Sequence, residues 1–185
     1  MFSSKKFALI SIDSLPIPKS IIMKRLVASI LIPVFTLTAQ SQLKVKASCA
    51  TMYVDILDGK VNGIKPDITI PELKDKLPCF TSVEEAGTSA KCGSGVFYKD
   101  KDIFFYTQRD YIEIGEKFQG KLSIPLIGAP RSSLFKWLGN PKLKDVNWDA
   151  YQMSYGTLVL HYNSANKVRL IQFSTKGSDT LDLCE

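Results

Sequence analysis

Gly95-Val96-Phe97-Tyr98, Lys99-Asp100-Lys101-Asp102 and Ile103-Phe104-Phe105-Tyr106 read in succession as a strand, a polar turn and a second strand. Aromatic and β-branched residues suit a pleated, half-buried surface, and a polar tetrapeptide between two such runs marks a hairpin. Gly156 to Tyr162, Asn163-Ser164-Ala165-Asn166 and Lys167 to Phe173 follow the same plan. Trp148 to Tyr155 supplies a preceding strand. Only part of each run alternates cleanly, so the register, and with it the side chains that share a face, stays open.

Short helical signals stand ahead of both hairpins. Thr69 and Glu72 have capping-box spacing: the hydroxyl can accept from the N–H three residues on, and the carboxylate can reach back. Pro71 is tolerated in a first turn, Leu73 and Leu77 fall on one side, and Pro78 stops the helix. Pro130, Ser132 and Ser133 open the second segment, Leu134 and Leu138 repeat the apolar pair, and Gly139-Asn140-Pro141 ends it. The parallel predicts an α+β protein of two related units, each a short helix packed on an antiparallel β-sheet. Residues 61–114 form the first unit and 123–185 the second with a C-terminal tail; 42–60 precede them. The mixed-charge stretch Gln108 to Leu122, with Gly115 and Gly120, reads as the link, and 115–122 as the connection itself.

The first 41 residues read differently. Met23-Lys24-Arg25 is a basic head, Leu26 to Ala39 is nearly all apolar or small, and Ala39-Gln40-Ser41 offers a cleavage site. This is the pattern of a secretory signal peptide, with Met23 an alternative start. The apolar run of about 14 residues contains Pro33 and falls short of the ~20 needed to span a bilayer, so no stable transmembrane anchor is expected. The whole chain carries 24 Lys+Arg against 18 Asp+Glu. Five of the basic residues and one acidic residue lie in 1–41, leaving 19 basic and 17 acidic in the exported part. The basic pI belongs largely to the signal, and nucleic acid is not an expected partner.

All four cysteines, Cys49, Cys79, Cys92 and Cys184, lie in the exported part. An even count in an exported chain predicts two disulfides. Of the three connectivities, Cys79–Cys92 with Cys49–Cys184 is favoured. The first closes a short loop; the second ties the ends of the domain, with loop closure contributing ~4–5 kcal/mol.

Ile64-Lys65-Pro66-Asp67-Ile68-Thr69-Ile70-Pro71-Glu72-Leu73, ending Leu77-Pro78, resembles the helix-start signature of SmpA/BamE-like small outer-membrane lipoproteins. Leu138-Gly139-Asn140-Pro141, then Trp148 and Thr157 to Val168, is similar to that family's L-G-x-P and closing hairpin. Two such units in tandem resemble the β-lactamase-inhibitor protein family. That resemblance covers most of the exported chain and implies a non-catalytic, protein-binding role. Lys46-Ala47-Ser48 before Cys49 is no lipobox, and the second unit lacks the capping Thr and Glu. Ser94-Gly95-Val96-Phe97-Tyr98 also fits the S-G-x-x-Y pattern of some periplasmic lysozyme inhibitors.

Catalytic equipment is sparse. His161, the sole histidine, sits within a strand pattern, and no serine occupies a nucleophile elbow. Gly93-Ser94-Gly95 lacks the context of a phosphate loop. With one histidine and no C-x-x-C, neither a metal nor another cofactor is expected. Tyr and Trp bury large areas with few rotors and keep a polar handle, so Tyr98, Tyr106, Trp148, Tyr151 and Tyr155 are the candidate binding residues. The expectation is a periplasmic or secreted non-enzymatic module, an inhibitor or immunity-type factor, whose partner is another protein such as an envelope or secreted enzyme. The alternatives are an envelope-assembly or structural accessory protein and a small hydrolase with a carboxylate pair.

Overall fold

The computed structural model describes residues 49–87 and 92–184; the predicted export signal over 1–41 lies outside them. Among the described residues, eleven strands form two sheets. The smaller sheet has the order β2-β1-β7, from Lys60–Val61, Tyr53–Asp55 and Lys121–Leu122, with β7 parallel to β1. The larger has eight antiparallel strands in the order β3-β4-β5-β6-β11-β10-β9-β8. Its first half is β3 (Ser82–Glu84), β4 (Gly95–Tyr98), β5 (Ile103–Tyr106) and β6 (Tyr111–Ile114). Its second half is β8 (Leu143–Lys144), β9 (Trp148–Met153), β10 (Gly156–Tyr162) and β11 (Val168–Ser174).

Both predicted hairpins are present, β4–β5 and β10–β11. The predicted α+β architecture of two helix-on-sheet units is corrected. The fold is mostly β, its halves are joined edge to edge into one sheet, and its helices are short: α1 spans Ile70–Lys76 and α2 only Phe135–Leu138. The joining strand is β6, which lies inside the stretch Gln108 to Leu122 read as a link. Ile171 pairs with Ile114 and Phe173 with Ile112 across that seam. In Tyr-Ile-Glu-Ile the two isoleucines point into the core, while Tyr111 and Glu113 point to the opposite face.

The register settles face parity. Val96, Tyr98, Ile103, Phe105, Ile112, Ile114, Leu158, Leu160, Ile171 and Phe173 line the inner face and share one core with Val54, Ile56 and Val61 of the small-sheet region. Leu73 and Leu77 of the α1 region and Leu134 ahead of α2 are buried in the same core. Helix α1 starts where the sequence placed it: Thr69 Oγ1 accepts from the Glu72 N–H, and Glu72 Oε2 accepts from the Thr69 N–H. At Gly59 (φ +63°) the backbone turns through the left-handed region, and a Cβ there would lie 2.5 Å from the Tyr155 ring. That close approach seats Tyr155 against the β1–β2 turn.

Cys49 is joined to Cys79, and Cys92 to Cys184. The predicted pairs Cys79–Cys92 and Cys49–Cys184 are therefore wrong, and the β3–β4 hairpin gives the reason. Cys79 precedes Ser82 at one end of β3, whereas Cys92 precedes Gly95, which pairs with Glu84 at the other end. Sequence proximity does not bring these two cysteines together. Two disulfides fit a chain matured in an oxidising compartment. No helix among the described residues is long and apolar enough to cross a membrane.

Candidate functional site

Side chains of the outer face fall into rows across the sheet. One row runs Ser82, Phe97, Phe104, Glu113, Gln172, Val159, Ala150, Leu143 from β3 to β8. The next runs Glu84, Gly95, Tyr106, Tyr111, Ser174, Thr157, Gln152. His161 and Trp148 stand opposite each other beyond Val159.

Part of this face is covered by the chain's own C-terminus. Residues Ser178 to Leu183 border a cleft of about 430 Å³ whose other wall is Leu143, Trp148, Ala150, Thr157, Val159 and His161. Five contacts hold the segment, one of them the ion pair of Lys142 with Asp179 at 3.7 Å. Cys184 is bonded to Cys92, and its N–H donates to Tyr111 Oη at 3.2 Å. Arg109 forms an ion pair with Asp182 at 2.8 Å and donates through Nη1 to the Leu183 carbonyl. Beneath the cleft's neighbourhood Tyr111, Ser174, Thr157 and Val159 are buried although they belong to the outer face. Nothing in their sequence announces this; it follows from the disulfide and from the path of the tail.

A hydrogen-bonded chain crosses three central strands. Gln172 Nε2 donates to Glu113 Oε2 at 2.8 Å, which leaves Gln172 Oε1 to meet His161 Nε2 at 2.7 Å. An amide oxygen can only accept, so His161 Nε2 carries its proton there. Burial pushes the Glu113 carboxyl above its ordinary range; the Gln172 hydrogen bond opposes this, Asp102 adds to it and Arg169 opposes it. Tyr106 and Tyr111 also lie within the field of Glu113.

An acid whose pKa is raised by folding binds more protons in the native state than in the unfolded one. Its contribution to stability therefore falls as pH rises from 4.5, the ordinary glutamate value, through the raised pKa. Glu113→Gln keeps an acceptor for Gln172 and removes this dependence. Melting temperatures across that window are expected to show the variant gaining on the wild type as pH rises. Parallel curves would refute the assignment.

The candidate binding residues divide by face. Tyr98 is buried in the core, its hydroxyl donating to the Leu77 carbonyl at 2.6 Å. Tyr151 is buried on the inner face, beside Tyr162. Tyr155 packs edge-on to Phe173, also toward the core. The pleat turns Tyr98 and Tyr151 inward, and the β9–β10 turn does the same for Tyr155. Tyr106 and Trp148 reach the outer face and are half-exposed. The sequence reading missed Phe104, Glu113 and Gln172, which stand in the same rows; strand alternation in Tyr111–Ile114 was the available signal for Glu113. His161 is half-exposed within β10. Of the S-G-x-x-Y motif, Tyr98 is spent on the core and Ser94 Oγ lies 3.3 Å from Thr107 Oγ1, closing the β4–β5 end.

No protein-family model matches the chain, and comparison with curated proteins and with solved structures found no match.

Proposed function

We propose that this is an exported, non-enzymatic protein-binding module, acting in the periplasm or outside the cell as an inhibitor or immunity-type factor. The observation that carries the reading is the outer sheet face. It offers half-exposed Phe104, Tyr106 and Trp148, with Leu143 exposed at its edge, on a sheet of eight strands. Rigid aromatic residues on a pre-ordered surface lose little entropy on binding, which favours a tight complex. Two disulfides add to that rigidity.

The test is affinity capture. The disulfide-bonded protein is immobilised, exposed to envelope and secreted fractions, and compared with Trp148→Ala/Tyr106→Ala. A secreted or envelope enzyme held stoichiometrically by the wild type, lost from the variant and inhibited in the complex is the expected result. Recovery of outer-membrane assembly components alone, or of the same proteins on both matrices, would count against the proposal.

A further inference from the structure

The β4–β6 half of the outer face, which the C-terminal segment borders at Tyr111, has its own chemistry. Phe97, Phe104, Tyr106 and Tyr111 form a continuous aromatic floor across β4, β5 and β6. Phe97 lies 5.9 Å from Phe104 and 5.5 Å from Tyr106, and Tyr106 stacks on Tyr111 at 4.5 Å with 18° between the planes. Gly95, opposite Tyr106, leaves the room: a Cβ there would stand 2.9 Å from the Phe97 ring. Phe97 and Tyr111 are buried as the base of the floor, while Phe104 and Tyr106 remain half-exposed.

Two carboxylates border this floor on the same face. Glu113 stands directly across from Phe104, and Glu84 across from Gly95. Both bear on the Tyr106 hydroxyl, which burial first and these charges second push up to about 12. Neither glutamate is in an ion pair among the described residues. Aromatic faces present the negative side of their quadrupole, so rings and carboxylates attract the same sign of charge. A purely apolar partner would desolvate Glu113 further, at a cost; a cation would give it a counter-charge.

From this juxtaposition we infer that the β4–β6 half of the outer face is a receptor site for an arginine side chain of the partner protein, the guanidinium lying over Phe104 and Tyr106 and paired with Glu113. The inference rests on the protein-binding reading and names the chemistry of the partner's contact. Arginine suits the site better than lysine: a planar guanidinium stacks on rings and forks onto a carboxylate, and it is less strongly hydrated. Glu84, two strands from Tyr106, adds attraction without contact. The exported part has 19 basic against 17 acidic residues, so uptake of a polycation cannot come from its overall charge.

The probe is a hexa-arginine peptide, titrated calorimetrically into the disulfide-bonded protein, with hexa-lysine and hexa-glutamate peptides for comparison. Hexa-arginine is expected to bind, hexa-lysine more weakly, and hexa-glutamate not at all. Glu113→Gln and Tyr106→Leu should each weaken hexa-arginine about tenfold, the scale of a partly desolvated cation–π or charge contact. Tyr106→Phe, which keeps the ring, should bind like the wild type, and it serves as the test should the leucine variant fail to fold. Absence of binding, equal affinity for lysine, or affinity unchanged in Glu113→Gln would overturn the inference. A captured enzyme that depends on Trp148 but ignores Glu113→Gln would also overturn it while leaving the binding-module reading intact. Specific hexa-arginine binding without any captured enzyme would have the opposite meaning.

Discussion

Asp149→Ala is expected to destabilise the fold by about 3 kcal/mol, the lower end of the range for breaking a buried charge pair by removing one partner. Asp149 is 2 % exposed. Its Oδ2 accepts from Arg131 Nε at 2.9 Å and from the Tyr162 hydroxyl at 2.7 Å, and its Oδ1 accepts from Arg131 Nη2. Removing the carboxylate leaves the guanidinium without its counter-charge and takes the acceptor from a buried phenol. The cost stays near the lower end because the Arg131 side chain is 20 % exposed and keeps two carbonyls, those of Asp145 and Val146. Replacing both ends should hurt less than replacing one: Arg131→Met/Asp149→Ala is expected to be more stable than Asp149→Ala, since no orphaned charge remains. Urea unfolding of the four proteins of this cycle gives the values. A loss below about 1 kcal/mol for Asp149→Ala, or a double variant worse than the sum of the singles, would show that the pair is solvated and carries little.

That pair also reaches the candidate site. Arg131 lies in the turn Arg131–Ser133 before α2, and its hydrogen bonds to Asp145 and Val146 fix the β8–β9 turn. Leu143 and Trp148, both on the cleft wall, stand at the two ends of that turn.

Local chemistry explains what could be read from the sequence. The hairpins at Lys99–Asp102 and Asn163–Asn166 declare themselves because turn and strands are neighbours in the chain. The Thr69 cap does so because its two bonds close within four residues. Strand β6 was hidden: Tyr111–Ile114 is short, includes Glu113 and runs into Gly115, and its partner β11 lies more than fifty residues on. Reading it as a link split one sheet into two units. The faces of Tyr98, Tyr106 and Tyr151 depended on the register that this seam fixes, so the site could be listed as residue types but not placed. Cysteine spacing carried no information about the β3–β4 hairpin that separates Cys79 from Cys92.

Cutting the Cys92–Cys184 bond, as Cys92→Ser/Cys184→Ser, is expected to have the second large effect. The bond spans 92 residues. Loop closure on that scale constrains the unfolded chain by about 4.6 kcal/mol, against about 3.7 kcal/mol for Cys49–Cys79 with its 30-residue span. These figures are ceilings, because a chain end released from a disulfide also gains freedom in the native state. That second gain is where function enters. Without the bond the segment from Ser178 onward keeps the Arg109–Asp182 and Lys142–Asp179 pairs, the Leu183 carbonyl contact and the N–H of residue 184 to Tyr111, each exposed or only part-buried and worth little together. The segment should therefore detach while the sheet stays folded, opening the cleft and baring Thr157, Val159 and Tyr111. Near-UV circular dichroism from Trp148 and Tyr111 should weaken, a hydrophobic dye should bind, and carboxypeptidase should trim the tail. Far-UV circular dichroism should not change. If the double serine variant resisted trimming and bound no dye, the tail would be held by packing rather than by its covalent tie, and the covered half of the face would be core. If instead it bound dye and the captured partner more tightly, the tail would be a built-in competitor for the binding face.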